Sequence, residues 1–179
     1  MLVVSPALAR ILVFPQKDSF TEVWLLGPGH MAENYPYNVT VNKNYDVFLD
    51  IANHLGYCAY YVVEVKFRNE TQSAPNSFNF TYSSLEPLYN MTVFVANEGT
   101  WELPVTFSFN YNVTASEVYF NTMTFNGINT GLAGESSNWN SQTNVFYGNL
   151  FFELWIYNTT TSTFQYNQRF VSLVLNMTG

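Results

Sequence analysis

The 179-residue sequence predicts an all-β protein of the sandwich type, and three observations carry that expectation. Apolar residues recur at period two in short runs. Clusters of Gly, Pro, Asn and Ser separate the runs as turn signals. No stretch holds the period of about 3.6 that an amphipathic helix needs. About nine short strands at this spacing imply a β-sandwich.

Residues 1–15 read as a separate extended strand. Leu2, Val4, Leu8, Leu12 and Phe14 share one face at period two, with the smaller Val3, Ala7, Ala9, Ile11 and Val13 on the other. Pro6 and Pro15 oppose a long helix. The same segment also reads as the end of a signal peptide, because SPALA places Ala7 and Ala9 at the small positions of a cleavage site. A strand this long exceeds what one sandwich uses. The expectation is therefore a donor strand that enters a groove in the next copy, where five bulky side chains contribute on the order of 10 kcal/mol before ordering costs. Residues 16–179 then form the sandwich.

The strands follow in order. FTEVWLL (20–26) ends at the turn GPG (27–29), and YNVTV (37–41) ends at NKN (42–44). In residues 45–53, Val47, Leu49 and Ile51 fall on one face and Asp46, Phe48, Asp50 and Ala52 on the other. In residues 61–68, Val63, Val65 and Phe67 alternate with Glu64, Lys66 and Arg68, which predicts one core face and one wet face. NMTVFVA, LPVTFSFNY, EVYFNTMTF, NLFFELWIY and RFVSLVLN complete the set. Residues 126–143, NGINTGLAGESSNWNSQT, lack the alternation and read as one long polar loop.

Composition removes several functions. Charged residues make up 11% of the chain against roughly 25% in ordinary soluble domains, while aromatics reach 18%. The polar surface is thus built from amides and hydroxyls. A net charge of -7 with six basic residues leaves no patch to neutralise phosphates, so nucleic acid is not an expected partner. The single cysteine, Cys58, lies in the run YCAYYVVEVKF and reads as a buried thiol packing as a small hydrophobe.

Catalytic material is sparse. His30 and His54 have no metal-ligand spacing and read as residues of a Gly-rich bend and a strand end. No nucleophile elbow, phosphate loop or dinucleotide fingerprint occurs. Glu98 and Glu102 imitate a glycosidase pair in spacing alone and read as solvated edge carboxylates. No enzyme activity, cofactor, metal or small-molecule substrate is expected. Trp139, among Glu135, Ser137, Asn138 and Asn140, has the equipment of a glycan-stacking site. The competing reading is an anchor that pins its own loop.

Asn-x-Ser/Thr occurs at Asn38, Asn69, Asn79, Asn90, Asn112, Asn158 and Asn176, just under twice what 22 Asn and 30 Ser plus Thr produce by chance. These are candidate N-glycosylation sites of a protein exposed outside the cell.

Taken in order, FTEVWLLGPGHMAENYPYNVTV, VFLDIANHLGYCAYYVVEVKF and NEGTWELPVTF resemble an archaeal family, the domain of unknown function sixteen-sixteen. The matching residues are Phe20, Thr21, Glu22, Leu26, Gly27, Pro28, Ala32, Tyr35, Pro36, Asn53, His54, Trp101 and Glu102. The resemblance covers residues 18–110 and, more loosely, the last thirty. It implies an immunoglobulin-like sandwich outside an archaeal cell and gives no activity. The low charge and abundant Tyr, Asn and Thr are similar to secreted proteins of thermoacidophilic archaea. The expected function is a glycosylated extracellular subunit at the cell surface, assembling head-to-tail with copies of itself into a filament or array. The alternatives are a carbohydrate-binding or adhesion module and the ectodomain of a membrane-anchored surface protein.

Overall fold

The computed structural model describes residues 18–178. The expected donor strand, with Leu2, Val4, Leu8, Leu12 and Phe14, lies outside the described residues, as does the boundary at residue 15.

Period-two patterning produces strands throughout, and no helix occurs among the described residues. The strands are β1 (Phe20–Leu26), β2 (Asn38–Thr40), β3 (Tyr45–His54), β4 (Ala59–Arg68), β5 (Tyr89–Val95), β6 (Gly99–Val113), β7 (Glu117–Phe125), β8 (Ile128–Gly131), β9 (Ser136–Asn140), β10 (Val145–Asn158) and β11 (Thr163–Thr178). One arm of the sheet runs β1-β3-β6-β7, with β8 beside β7. The other runs β5-β4-β10-β11, with β2 parallel to the last residues of β11.

The arms are joined by β9. Its residues Ser136, Ser137 and Asn138 pair with β7, and Trp139 and Asn140 pair with β10. The result is a single curled sheet, a half-barrel. β1 and β11 approach each other without forming a ladder, which leaves a seam lined by Trp24, Leu25, Val171 and Leu173 and crossed by Arg169 Nε, 3.3 Å from Thr21 O.

The core fills the space between the arms. Val47, Leu49 and Ile51 of β3 and Val63, Val65 and Phe67 of β4 all belong to it, and all six are buried. The Phe67 ring lies 5.0 Å from Phe109 and 4.9 Å from Phe120 across the fold. Each such ring contributes roughly 2–3 kcal/mol by burial. The Tyr111 hydroxyl sits 2.6 Å from the Val39 carbonyl oxygen and 2.7 Å from that of Thr178, which fixes β2 to the end of β11.

Three local expectations are corrected. Residues 126–143 are not one loop, because β8 and β9 form within them through backbone pairing that needs no apolar alternation. Cys58 is exposed, since the Leu55–Cys58 turn ends before β4 begins at Ala59. The second face of β4 is not wet: Lys66 is 2% exposed and its β10 neighbour Glu153 0%. Residues between β4 and β5 fold over that face, with Leu88 N bonded to Val65 O at 2.8 Å and the Tyr82 ring 5.0 Å from Trp155.

Candidate functional site

The outer face of β1, β3 and β6 gathers residues far apart in sequence. Strand alternation sends Val47, Leu49 and Ile51 inward, so Phe48, Asp50 and Ala52 must point outward. The antiparallel register then aligns Trp24, Asp50 and Glu102 in one row across three strands.

The segment between β1 and β2 returns over this row. Gly27 N bonds Met31 O at 2.8 Å and His30 N bonds Gly27 O at 3.0 Å, which makes a tight turn. A Cβ on Gly27 would collide with the Glu33 carbonyl oxygen, so the turn requires glycine. His30, in the left-handed region at φ 54°, stacks on Phe48 with ring centroids 3.7 Å apart. Its Nδ1 lies 3.1 Å from Glu102 Oε2. Asp50 beneath is 4% exposed, and its Oδ2 has no hydrogen-bond partner. Burial pushes its pKa up to about 6, and the Glu102 carboxylate adds to the rise while His30 opposes it.

A second imidazole occupies the end of the same face. His54 Nδ1 is 2.8 Å from Glu98 Oε2, its Nε2 is 3.6 Å from Glu22 Oε2, and the Phe20 ring lies 4.7 Å away. Tyr35 OH donates to Leu25 O at 2.7 Å and ties the returning segment to β1. Both histidines are thus engaged with carboxylates, and Glu98 and Glu102 each hold an imidazole of their own. No group of three or more His, Cys, Asp and Glu among the described residues is arranged to hold a metal ion.

Another charged cluster lies on the outer face of the second arm. Lys66 Nζ is 2.8 Å from Glu153 Oε2 and 2.9 Å from Glu64 Oε2, and it donates to Ser83 O at 3.2 Å. Ser83 N donates to Glu153 Oε1 at 2.6 Å. Burial opposes the Lys66 charge, but hydrogen bonds to Glu153 and Glu64 outweigh it and hold its pKa above the ordinary value. Burial pushes the Glu153 carboxyl up, against the bonds from Lys66 and Ser83.

Of the sequons, Asn38, Asn79, Asn90 and Asn112 are exposed. The other three use their side-chain amides: Asn69 Nδ2 donates to Ser136 O at 2.9 Å, Asn158 Nδ2 to Gln165 Oε1 at 3.0 Å and Asn176 Nδ2 to Asn38 Oδ1 at 2.9 Å. Trp139 is 42% exposed, with its ring edge-on to Phe146 at 4.9 Å and its backbone N bonded to Ser116 O at 2.8 Å.

Residues 15–141 match the family model described as Domain of unknown function (DUF1616). The chain belongs to the DUF1616 family. Phe20, Glu22, His54 and Glu102, four residues that carried the resemblance, meet on the face just described, and Gly27 and Tyr35 shape the segment above it. No curated protein matches this DUF1616 chain. Among solved structures it is similar to the beta-glucosidase from Listeria innocua in complex with glucose, at 10% identity and a TM-score of 0.41, over 90% of this chain and 16% of that one. The complex of the same enzyme with gluconolactone gives 9% identity and a TM-score of 0.41, over 93% and 17%. The chain spans about a sixth of that enzyme, and likeness at this level carries no argument for function.

Sequence reading missed Asp50 and the Lys66–Glu153 pair as site residues. The available signal was a lone charge inside an otherwise apolar run, VFLDIA for Asp50 and LFFELWI for Glu153.

Proposed function

We propose that this DUF1616 chain is an extracellular structural subunit of an archaeal cell-surface filament or array, an immunoglobulin-like domain that joins head-to-tail when residues 1–14 of one copy enter the seam of the next. The observation that carries the reading is the seam. Its walls include Trp24, Leu25 and Leu26 of β1 and Val171 and Leu173 of β11, around a space of about 580 Å³. Two sheet edges border it, and a donor strand that parts them gains main-chain partners on both.

Side chains already stand where an incoming main chain would bind. Arg169 Nε donates to Thr21 O at 3.3 Å, and Tyr35 OH holds Leu25 O. In this reading they are placeholders, displaced by the N–H groups of the donor. Leu8, Leu12 and Phe14 fill the apolar space, and the contact propagates because donor and acceptor surfaces differ. The extracellular assignment draws on the four exposed sequons and the low charge. Carboxyls pushed upward by burial, Asp50 and Glu153, suit an acidic exterior.

Sedimentation and electron microscopy of the full chain and of a chain lacking residues 1–14 test the proposal. The full chain forms polymers and the shortened one is a folded monomer. A monomeric full chain, or a shortened chain that unfolds, contradicts it.

A further inference from the structure

The outer face of the second arm has a covered half, over Lys66 and Glu153, and an open half made of aromatic rings. Alternation places one aromatic on each of four adjacent strands at the same level. Tyr60 of β4 pairs with Phe94 of β5, and Tyr157 of β10 pairs with Phe164 of β11. The row continues across the middle, where Tyr60 lies 6.0 Å from Tyr157 and 5.1 Å from Phe164. Tyr60 and Phe94 stack at 4.2 Å with planes 9° apart, yet Phe94 remains 68% exposed. With one ring face against Tyr60, its open area is the other face and the rim.

A groove of about 670 Å³ runs beside three of these rings, Tyr60, Phe94 and Tyr157, and Tyr57, Asn158, Thr160 and Gln165 supply its polar groups. None of its lining side chains belongs to Asp, Glu, Lys, Arg or His. We propose that this groove binds a neutral saccharide. A pyranose has an apolar C–H face that stacks on an aromatic ring and a rim of hydroxyls that needs amide and hydroxyl partners. The groove offers both: the Tyr60, Phe94 and Tyr157 rings on one side, and on the other the Asn158 and Gln165 amides, which bond one another at 3.0 Å and each keep an N–H to donate. A charged ligand finds no counter-charge, and an acyl chain would cover the remaining amide N–H groups without pairing them. Four strands at spacings of about 4.8 Å give a row of about 14 Å, enough for a short oligosaccharide. This site is separate from the seam and does not depend on assembly.

The test titrates the full chain with maltotriose, cellotriose, chitotriose and mannotriose by calorimetry, alongside the variants Phe94→Ala and Gln165→Ala. At least one trisaccharide binds the wild type; Phe94→Ala weakens it tenfold or more with the thermal midpoint unchanged, and Gln165→Ala weakens it less. Three outcomes overturn the proposal. None of the four sugars binds at millimolar concentration, or Phe94→Ala binds as well as the wild type, or sedimentation shows that Phe94→Ala instead dissociates an oligomer, which assigns the face to a second copy.

Discussion

Glu102 Oε2 lies 3.1 Å from His30 Nδ1, directly beside an Asp50 carboxyl that is buried with one oxygen unpartnered. The segment following β1 is thereby held over a carboxyl that prefers its proton. Because burial raises the Asp50 pKa from 3.8 to about 6, its contribution to stability is fully present below pH 3.8 and is lost as pH rises through 6. The protein is therefore more stable at pH 4 than at pH 7 by on the order of 2–3 kcal/mol from this group. Asp50→Asn removes that share of the pH dependence and is the more stable form at pH 7. Urea unfolding of both proteins across this range measures it, and identical slopes contradict the assignment.

The Lys66–Glu153 pair behaves differently. Lys66→Met leaves a buried carboxylate with only the Ser83 N–H, and it costs about 3–5 kcal/mol at pH 7. The cost shrinks as pH falls, because the Glu153 carboxyl, already raised by burial, takes up a proton. The double variant Lys66→Met, Glu153→Gln recovers most of the loss. Denaturant midpoints of the two variants decide it.

Strand positions were legible in the sequence where one face is apolar. FTEVWLL coincides with β1 and EVYFNTMTF with β7, and Val47, Leu49 and Ile51 point inward as their spacing demands. What failed depends on contacts that spacing does not encode. β9 contains Ser, Asn and a single Trp, and it is a strand because β7 and β10 supply its backbone partners. Lys66 alternates as a solvent residue should, and it is buried because Ser83, 17 positions later, folds over it. His30 meets Glu102 across 72 positions and His54 meets Glu98 across 44, so neither pairing follows from local pattern.

Glycan occupancy follows side-chain availability. In protein from its native source, Asn79, Asn90 and Asn112 carry glycans and Asn38 accepts one, whereas Asn69, Asn158 and Asn176 stay bare because their amides are committed to Ser136 O, Gln165 Oε1 and Asn38 Oδ1. Glycopeptide mass spectrometry reads this directly. An intact mass equal to the 20.5 kDa polypeptide contradicts the extracellular reading.

Trp139 holds the joint between the arms. Trp139→Ala removes its edge contact with Phe146 and lowers stability by about 1–3 kcal/mol, with amide exchange accelerated in β9. Glycan affinity at the aromatic groove is unchanged in this variant. An unaltered midpoint contradicts the pinning role.

Complementation by the missing segment decides whether the seam accepts residues 1–14. A synthetic peptide of that sequence is added to the chain lacking it, and the thermal midpoint is followed against peptide concentration. The midpoint rises with concentration by mass action, and it does not rise for a peptide carrying Leu8→Asp or Leu12→Asp, whose carboxylate would be buried without a partner. A midpoint that does not move with the natural peptide, or that moves equally with the Asp peptides, contradicts it.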